Sequence, residues 1–180
     1  MIKQSSHQPK RPGLHVVIAG GSIDFRFNPA YERSERKVDA AIPRDHSIVP
    51  HFLRDRVKMP VESINFSRAS IKDSRDMTGE DLAALAQEVT SSPYQNVLLT
   101  YGIVKMHEAA RFLQEQDLGG RSVGIVGSHM PFTEYQSDAG FHLGFAIAQM
   151  YTAGPGVHEF HPAQNAETVK AILSRTVVHI

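Results

Sequence analysis

Short apolar runs alternate with amphipathic stretches along most of the chain. Runs rich in aliphatic and β-branched residues predict strands over residues 14–19, 63–70, 96–100, 122–126, 156–160 and 176–180. Apolar residues at helical spacing predict helices over residues 43–57, 78–89, 105–116, 137–151 and 166–173. Strands and helices in this order form βαβ units. We therefore expect an α/β fold with a doubly wound, mostly parallel sheet flanked by helices.

The clearest predicted helix covers residues 78–89. Thr78 is a good N-cap residue, and Asp81 three positions later can return a hydrogen bond, which is a variant of the capping box. One apolar stripe then follows on a single face, formed by Leu82, Leu85, Ala86 and Val89. This face is expected to pack on the sheet.

Two segments interrupt the alternation. Residues 24–39 are dense in charge and contain Asn28-Pro29, which predicts a long functional loop or a hairpin. Residues 1–13 are polar and basic without an apolar core, so we expect a disordered lead-in rather than a secretory signal. The remaining residues, 14–180, have the length of one ordinary domain.

Composition argues against several classes of function. Lys and Arg together number 19, as do Asp and Glu, so the basic excess of a nucleic-acid-binding protein is missing. No apolar run approaches the roughly 20 residues of a membrane span. The chain has no Cys, which rules out disulfides and thiolate metal sites and favours a cytoplasmic protein. We expect neither a nucleic-acid partner nor a membrane.

Parallel sheets bind their ligands beyond the carboxyl ends of the strands. The predicted loops at those ends are residues 20–24, 101–105 and 127–131. The first loop contains Gly20-Gly21-Ser22, where glycines expose backbone N–H groups and a hydroxyl can attack a carbonyl. A tight turn in which Ser22 is only a cap explains these residues equally well. Dinucleotide and phosphate-loop motifs are absent, which disfavours a nucleotide-binding protein, the weakest of three functional alternatives.

Four segments, with a short motif beyond the last, carry a resemblance to a known family. They are Ala19-Gly20-Gly21-Ser22-Ile23, Asp73-Ser74-Arg75-Asp76-Met77, Tyr101-Gly102-Ile103-Val104, and Val126-Gly127-Ser128-His129-Met130-Pro131 with Ser137-Asp138-Ala139-Gly140 beyond. In this order they resemble the N-terminal domain of the L-asparaginase family, with its T-G-G-T-I, D-S-x-D-M, H-G-T-D and V-G-x-M-x-P segments and S-x-D-G. The resemblance covers about residues 14–157. It is closest to the short bacterial asparaginase-domain proteins, which lack the family's second domain.

The resemblance implies roles for particular residues. Ser22 takes the place of the nucleophilic Thr of the first loop. Ser74 matches the substrate-binding Ser, and Arg75 takes the neighbouring contact position. The backbones of Gly21 and Gly102 lie where the family binds its ligand. These matches imply an amidohydrolase that acts on a small carboxamide or binds a small carboxylate.

The H-G-T-D segment departs from the family pattern. Its Thr falls on Ile103, and the Asp that holds the substrate's α-ammonium falls on Val104. The family's catalytic Lys has no match, although Lys105 could supply a charge. A buried ammonium without a counter-charge is costly, so a substrate without an α-ammonium fits better than L-asparagine. Tyr31 is the nearest candidate for the Tyr of the family's mobile loop.

The ten histidines raise the question of a metal site. His158 and His161 lack an acidic partner at a recognised spacing, and H-E-x-x-H is absent, so we expect no metal and no cofactor. His129 faces the predicted crevice; it is either an auxiliary acid/base or ligand contact, or, as we favour, a structural residue. Asp138 is interpreted as a structural residue at the start of a helix.

Two functional hypotheses are favoured over the nucleotide-binding alternative. The first is an amidohydrolase with Ser22 as nucleophile. The second is a catalytically degenerate ligand-binding or regulatory module on the same fold. The resemblance also implies a homo-oligomer, because family members build their sites near subunit contacts.

Overall fold

A computed structural model of the chain describes residues 11–27, 41–42, 46–59 and 64–176. The strands are β1 (Arg11–Gly20), β2 (Arg26–Phe27), β3 (Ala41–Ile42), β4 (Ile64–Lys72), β5 (Tyr94–Thr100), β6 (Ser122–Val126) and β7 (Gly156–Phe160). The helices are α1 (Val49–His51), which continues as a π-helical segment (Phe52–Arg56), α2 (Gly79–Ser91), α3 (Met106–Gln114), α4 (Ala139–Met150) and α5 (Pro162–Thr176). Helices follow strands as the sequence pattern predicts.

Five strands form a parallel sheet in the order β4-β1-β5-β6-β7. The order along the sheet reverses at β1, because β4 follows β1 on one side and β5 lies on the other. Such a reversal is the topological switch point at which doubly wound sheets bind ligands. The fold prediction is confirmed, and the switch point lies beside Gly20 and Gly21, where β1 ends.

Helices cover both faces of the sheet. On one face α2 and α3 bury residues such as Leu85 and Leu113 against the sheet, and on the other α1 and α4 bury residues such as Val49 and Leu143. Successive residues of β1 point to opposite faces, so its whole apolar run is buried. This explains why β1 reads as a continuous hydrophobic stretch rather than an alternating one.

The connection from β6 to β7 has an unusual hand. The connections that carry α2, α3 and α4 all step in the same direction along the sheet. However, α4 lies on the face opposite to α2 and α3. Connections that step in the same direction but place their helices on opposite faces have opposite hands. Because βαβ connections are almost always right-handed, we assign that hand to the connections of α2 and α3, and the β6–α4–β7 connection is then left-handed. The loop before α4 passes the β1 loop, and the N–H of Phe132 donates to the carbonyl of Ile23 at 3.3 Å.

Several predicted elements are confirmed closely. β6 and β7 have the predicted bounds. The capping box at α2 is present, because the Thr78 N–H donates to Asp81 Oδ2 at 2.8 Å and the Asp81 N–H donates to Thr78 Oγ1 at 3.3 Å. The hairpin alternative for residues 24–39 is partly supported by the antiparallel pairing of β2 and β3, although residues 28–40 lie outside the described part.

Other boundaries were predicted wrongly. β1 begins at Arg11, inside the expected lead-in. The pairing with β5 shifts in register between Arg11 and Leu14, which accommodates Pro12 and Gly13 and lets Arg11 pair with Tyr94. Residues 1–10 lie outside the described part.

The helix predicted over residues 43–57 begins only at Val49. Pro50 lies in the first turn of α1, where its missing N–H is harmless; further inside a helix it would break a hydrogen bond.

The strand predicted at residues 176–180 is not formed at Thr176, which ends α5. This helix starts at Pro162, four residues before the predicted start, and continues through the β-branched residue that indicated a strand. Helical propagation overrides the local strand propensity there. Residues 177–180 are not described.

No helix in the described part of the chain is long and apolar enough to cross a bilayer.

Candidate active site

Two glycines turn the chain sharply at the end of β1. Gly20 and Gly21 have φ angles of 85° and 82°, a region that L side chains rarely adopt. A Cβ at position 21 would lie 2.4 Å from the amide nitrogen of Gly102, so the backbones after β1 and β5 touch. The Gly21 N–H donates to the carbonyl of Lys72 at 3.1 Å. The glycine pair therefore joins the ends of three neighbouring strands.

Ser74 lies on the other side of Gly102. A Cβ at position 102 would lie 2.3 Å from the Ser74 Oγ. Ser74 is only 1% exposed, and its hydroxyl has no hydrogen-bond partner within the described residues. An unpaired buried hydroxyl is costly, so this oxygen is a natural contact for a ligand.

Ser22 follows the glycine pair and is 6% exposed. Its Oγ donates a hydrogen bond to the carbonyl of Ser128 at 2.5 Å. The loop after β6 also touches the loop after β5, because a Cβ at Gly127 would lie 2.6 Å from the carbonyl oxygen of Tyr101. The three loops predicted to line the crevice are thus in contact with one another.

Arg75 extends from the short turn that contains Ser74. Its guanidinium donates to both carboxylate oxygens of Asp73, at 3.0 and 2.8 Å. The same carboxylate accepts the Arg75 N–H at 2.9 Å. Hydrogen bonds from Arg75 hold the pKa of Asp73 below its usual range despite partial burial. A ligand carboxylate at Arg75 would therefore share the guanidinium with Asp73.

Comparison with known proteins shows to which family the chain belongs. A family model for the N-terminal domain of asparaginase matches residues 14–171. The chain belongs to the asparaginase N-terminal domain family. A crystal structure of a probable cytoplasmic L-asparaginase from Campylobacter jejuni has a similar fold, with a TM-score of 0.66 and 22% identity. The match covers 83% of this chain and 45% of that one, so the chain spans less than half of its neighbour's length. No curated protein matches in sequence.

This asparaginase domain has apolar residues where the resemblance places a Thr-Asp pair. Ile103 packs on the loop after β6, with its Cγ2 atom 2.7 Å from where a Cβ at Gly127 would lie. Val104 is 58% exposed. Lys105 holds its Nζ 3.9 Å from Glu108 Oε2. The residue next to Val104 is thus a cation, and its nearest acidic partner comes from the first turn of α3.

Tyr101 lies where the resemblance places the His of the H-G-T-D segment. Its side chain is buried. Burial, together with the nearby Glu108 carboxylate, raises the pKa of Tyr101 to about 12. The phenol is therefore neutral at physiological pH, and it does not act as a base there.

His129 contacts Asp138 and His161 with its side chain. Its Nδ1 lies 3.2 Å from Asp138 Oδ2, and its ring meets the ring of His161 edge to face at 6.3 Å between centroids. Within the described residues, no hydrogen bond joins this ring to Ser22, and the auxiliary role considered for His129 stays a prediction. Tyr31, the substrate-binding candidate of the mobile loop, lies outside the described residues.

Sequence reasoning missed two residues around the site. Asp24 is fully buried and accepts the Ile48 N–H at 2.7 Å, which ties the first loop to α1. His142 is 5% exposed on α4, and its Nε2 lies 3.2 Å from Asp138 Oδ2. A lone His on the otherwise apolar inner face of a predicted helix was the available signal for His142.

The histidines past β6 and β7 show no metal-binding arrangement in the part that the structure describes. His158 Nε2 lies 2.8 Å from the carbonyl of Gly154, and His161 Nδ1 accepts the Ala163 N–H at 3.2 Å. Both side chains thus have backbone partners.

Proposed function

We propose that the chain is an amidohydrolase domain that cleaves a small carboxamide, with Ser22 as the nucleophile. The observation that carries this proposal is that the loops bearing two buried serines are in contact at the switch point. Ser22 and Ser74 flank the touching backbones of Gly21 and Gly102. Membership of the asparaginase family supports the same reaction class.

The proposed reaction has two steps. Ser22 Oγ bonds to the amide carbonyl carbon while its proton passes to the leaving nitrogen, the C–N bond breaks and ammonia departs. Water then cleaves the acyl ester and returns the proton to Ser22. The Gly21 N–H is already bonded to Lys72, so the oxyanion would be stabilised by the N–H groups of Ser22 and Ile23. These groups begin the turn Ser22–Asp24, where helical geometry provides no partner within the turn.

The substrate is proposed to lack an α-ammonium group. Val104 supplies no counter-charge where the family resemblance places an Asp, and Lys105 next to it would repel an ammonium. Ser74 and Arg75 would bind a carboxylate at the other end of the substrate. A short chain with one carboxylate and one carboxamide satisfies both conditions.

Succinamic acid tests this proposal directly, because it is asparagine without the α-amino group. We expect ammonia release from succinamic acid to exceed that from asparagine and glutamine. Ser22→Ala is expected to abolish it. Ser91→Ala removes an exposed hydroxyl on α2 that bonds only its own helix, to the carbonyl of Glu88, and should leave the rate unchanged. Equal rates for wild type and Ser22→Ala would remove Ser22 from the mechanism.

A ligand-binding or regulatory module is the second candidate. One observation favours it: the Ser22 hydroxyl donates to a backbone carbonyl, which cannot take up its proton. A binding module predicts that succinate and succinamic acid raise the melting temperature without turnover. Ser22-dependent ammonia release would exclude it.

A further inference from the structure

Asp138 occupies the N-cap position of α4, yet its side chain makes no capping hydrogen bond to that helix. The Ser137 Oγ accepts the Ala139 N–H at 3.1 Å instead. The Asp138 carboxylate turns to the loop after β6, where it accepts the N–H groups of His129 at 3.0 Å and Met130 at 2.8 Å. An N-cap Asp normally accepts a hydrogen bond from a backbone N–H in the first turn of its own helix. The bonds from Asp138 to the loop after β6 therefore need another explanation.

The peptide group between Ser128 and His129 has a polar partner on each side. Its carbonyl accepts the Ser22 hydroxyl at 2.5 Å, and its N–H donates to Asp138 Oδ2 at 3.0 Å. Because a peptide group is planar, the carboxylate that holds the N–H also fixes the direction of the carbonyl. The charge-assisted bond polarises the peptide and strengthens the carbonyl as an acceptor.

Two histidines hold the carboxylate in turn. His129 Nδ1 and His142 Nε2 each lie 3.2 Å from Asp138 Oδ2. The Nδ2 of Asn165 lies 3.0 Å from His142 Nδ1 and donates to the Phe160 carbonyl at 3.2 Å. The amide donor makes Nδ1 the acceptor and leaves the proton on Nε2, facing Asp138. The buried side chain of Asn165 thus connects α5 to the loop beside Ser22.

We infer that Asp138 is a positioning residue that orients the Ser22 hydroxyl through the Ser128–His129 peptide; this inference rests on the proposed role of Ser22. A carboxylate suits the role because both of its oxygens are acceptors. An amide at the same position would turn its NH2 group toward at least one backbone donor of the loop.

Two substitutions separate this role from the start of α4. Asp138→Asn is nearly isosteric, and Asp138→Ser has a side chain too short to reach the loop. Both Asn and Ser are good N-cap residues, so the helix start is preserved. Asp117→Asn is the matched control, because Asp117 accepts the Gly119 N–H at 2.9 Å in the loop before β6, at the opposite end of the sheet.

With the amide that the wild type cleaves, both Asp138 variants should lower kcat about 10²-fold with little change in KM, since small misplacement of a reacting group has that effect. In isotopically labelled protein, the NMR signals of Ser22 should change as well. Its Cβ chemical shift and Hα–Hβ couplings should move from the values of a single rotamer to values averaged over several rotamers. Asp117→Asn should change neither measurement.

Wild-type kcat and Ser22 signals in either folded variant would overturn the inference. A loss confined to KM would also overturn it, and so would unfolding of both variants, which would make Asp138 a stability residue. If the wild type cleaves no amide, the proposed function is wrong, but this result does not decide the role of Asp138. The Ser22 resonances then decide this inference alone, and unchanged signals in Asp138→Asn would refute it.

Discussion

At the scale of single residues, the proposed site has a buried hydroxyl at Ser22 and an apolar side chain at Val104. Ser22 is buried beside two glycines whose backbones approach too closely for any side chain. Val104, in contrast, is exposed, and the resemblance places there the Asp that holds a substrate's ammonium. Under the proposed function, the Ser22 hydroxyl and the apolar side chain of Val104 would together favour substrates without an amino group.

One substitution tests the proposed preference for substrates without an amino group. Val104→Asp should raise the ratio of kcat/KM for asparagine to that for succinamic acid about two- to fivefold, because an exposed ion pair contributes at most about 1 kcal/mol. Val104→Asn has the same shape without the charge and should leave the ratio unchanged. Steady-state ammonia release with both substrates measures it. An equal shift in Val104→Asn would contradict the electrostatic explanation.

At the scale of elements, a buried His connects β1, β4 and the end of α2. Ser67 Oγ donates to Glu88 Oε2 at 3.0 Å, so it accepts from His15 Nε2, which lies 2.9 Å away. His15 Nδ1 then accepts from Ser92 Oγ, also at 2.9 Å. Every donor in this chain meets an acceptor only while the imidazole is neutral. Burial lowers the pKa of His15, although Glu88 opposes the shift.

The buried histidines predict loss of stability in mild acid. Burial lowers the pKa of both His15 and His142 in the folded chain, whereas the unfolded value is about 6.5. The unfolded chain therefore binds more protons below that pH, and the free energy of unfolding should fall as pH falls. Each His contributes at most about 1.4 kcal/mol per pH unit.

Urea unfolding between pH 8 and pH 5 measures this effect. His15→Gln should flatten the pH dependence, whereas His46→Gln, which changes an exposed His, should not. A wild-type unfolding free energy that stays constant from pH 7 to pH 5 would count against the prediction.

At the scale of the whole molecule, the hand of one connection places the functional loop. Because the β6–α4–β7 connection is left-handed, the loop before α4 passes over the end of β1. There Phe132 bonds Ile23, and Ser128 meets Ser22. A right-handed connection would lead that loop to the other face of the sheet. The contact between Ser22 and Ser128 thus depends on topology.

We also propose a homo-oligomer, on the basis of family membership and the sites that family members build near subunit contacts. Light scattering at micromolar concentration should give a mass of at least two chains. A mass equal to one chain would contradict the prediction.

The sequence alone determined the features that depend on near neighbours. The capping box of Thr78 and Asp81 and the strand Ser122–Val126 follow from short-range propensity and apolar pattern. The glycine-serine loop follows strand residues whose apolar pattern places it at the carboxyl edge of the sheet. These signals also sufficed to recognise the family and to propose Ser22 and Ser74.

Only the tertiary structure decided the rest. The hydrogen bond from Ser22 to Ser128 joins residues 106 positions apart, and the carboxylate of Asp138 could have capped its own helix instead of the loop. Such choices depend on the hand of a connection and on the competition among distant partners. Local propensity does not encode either of them, because both are settled only when the layers pack together.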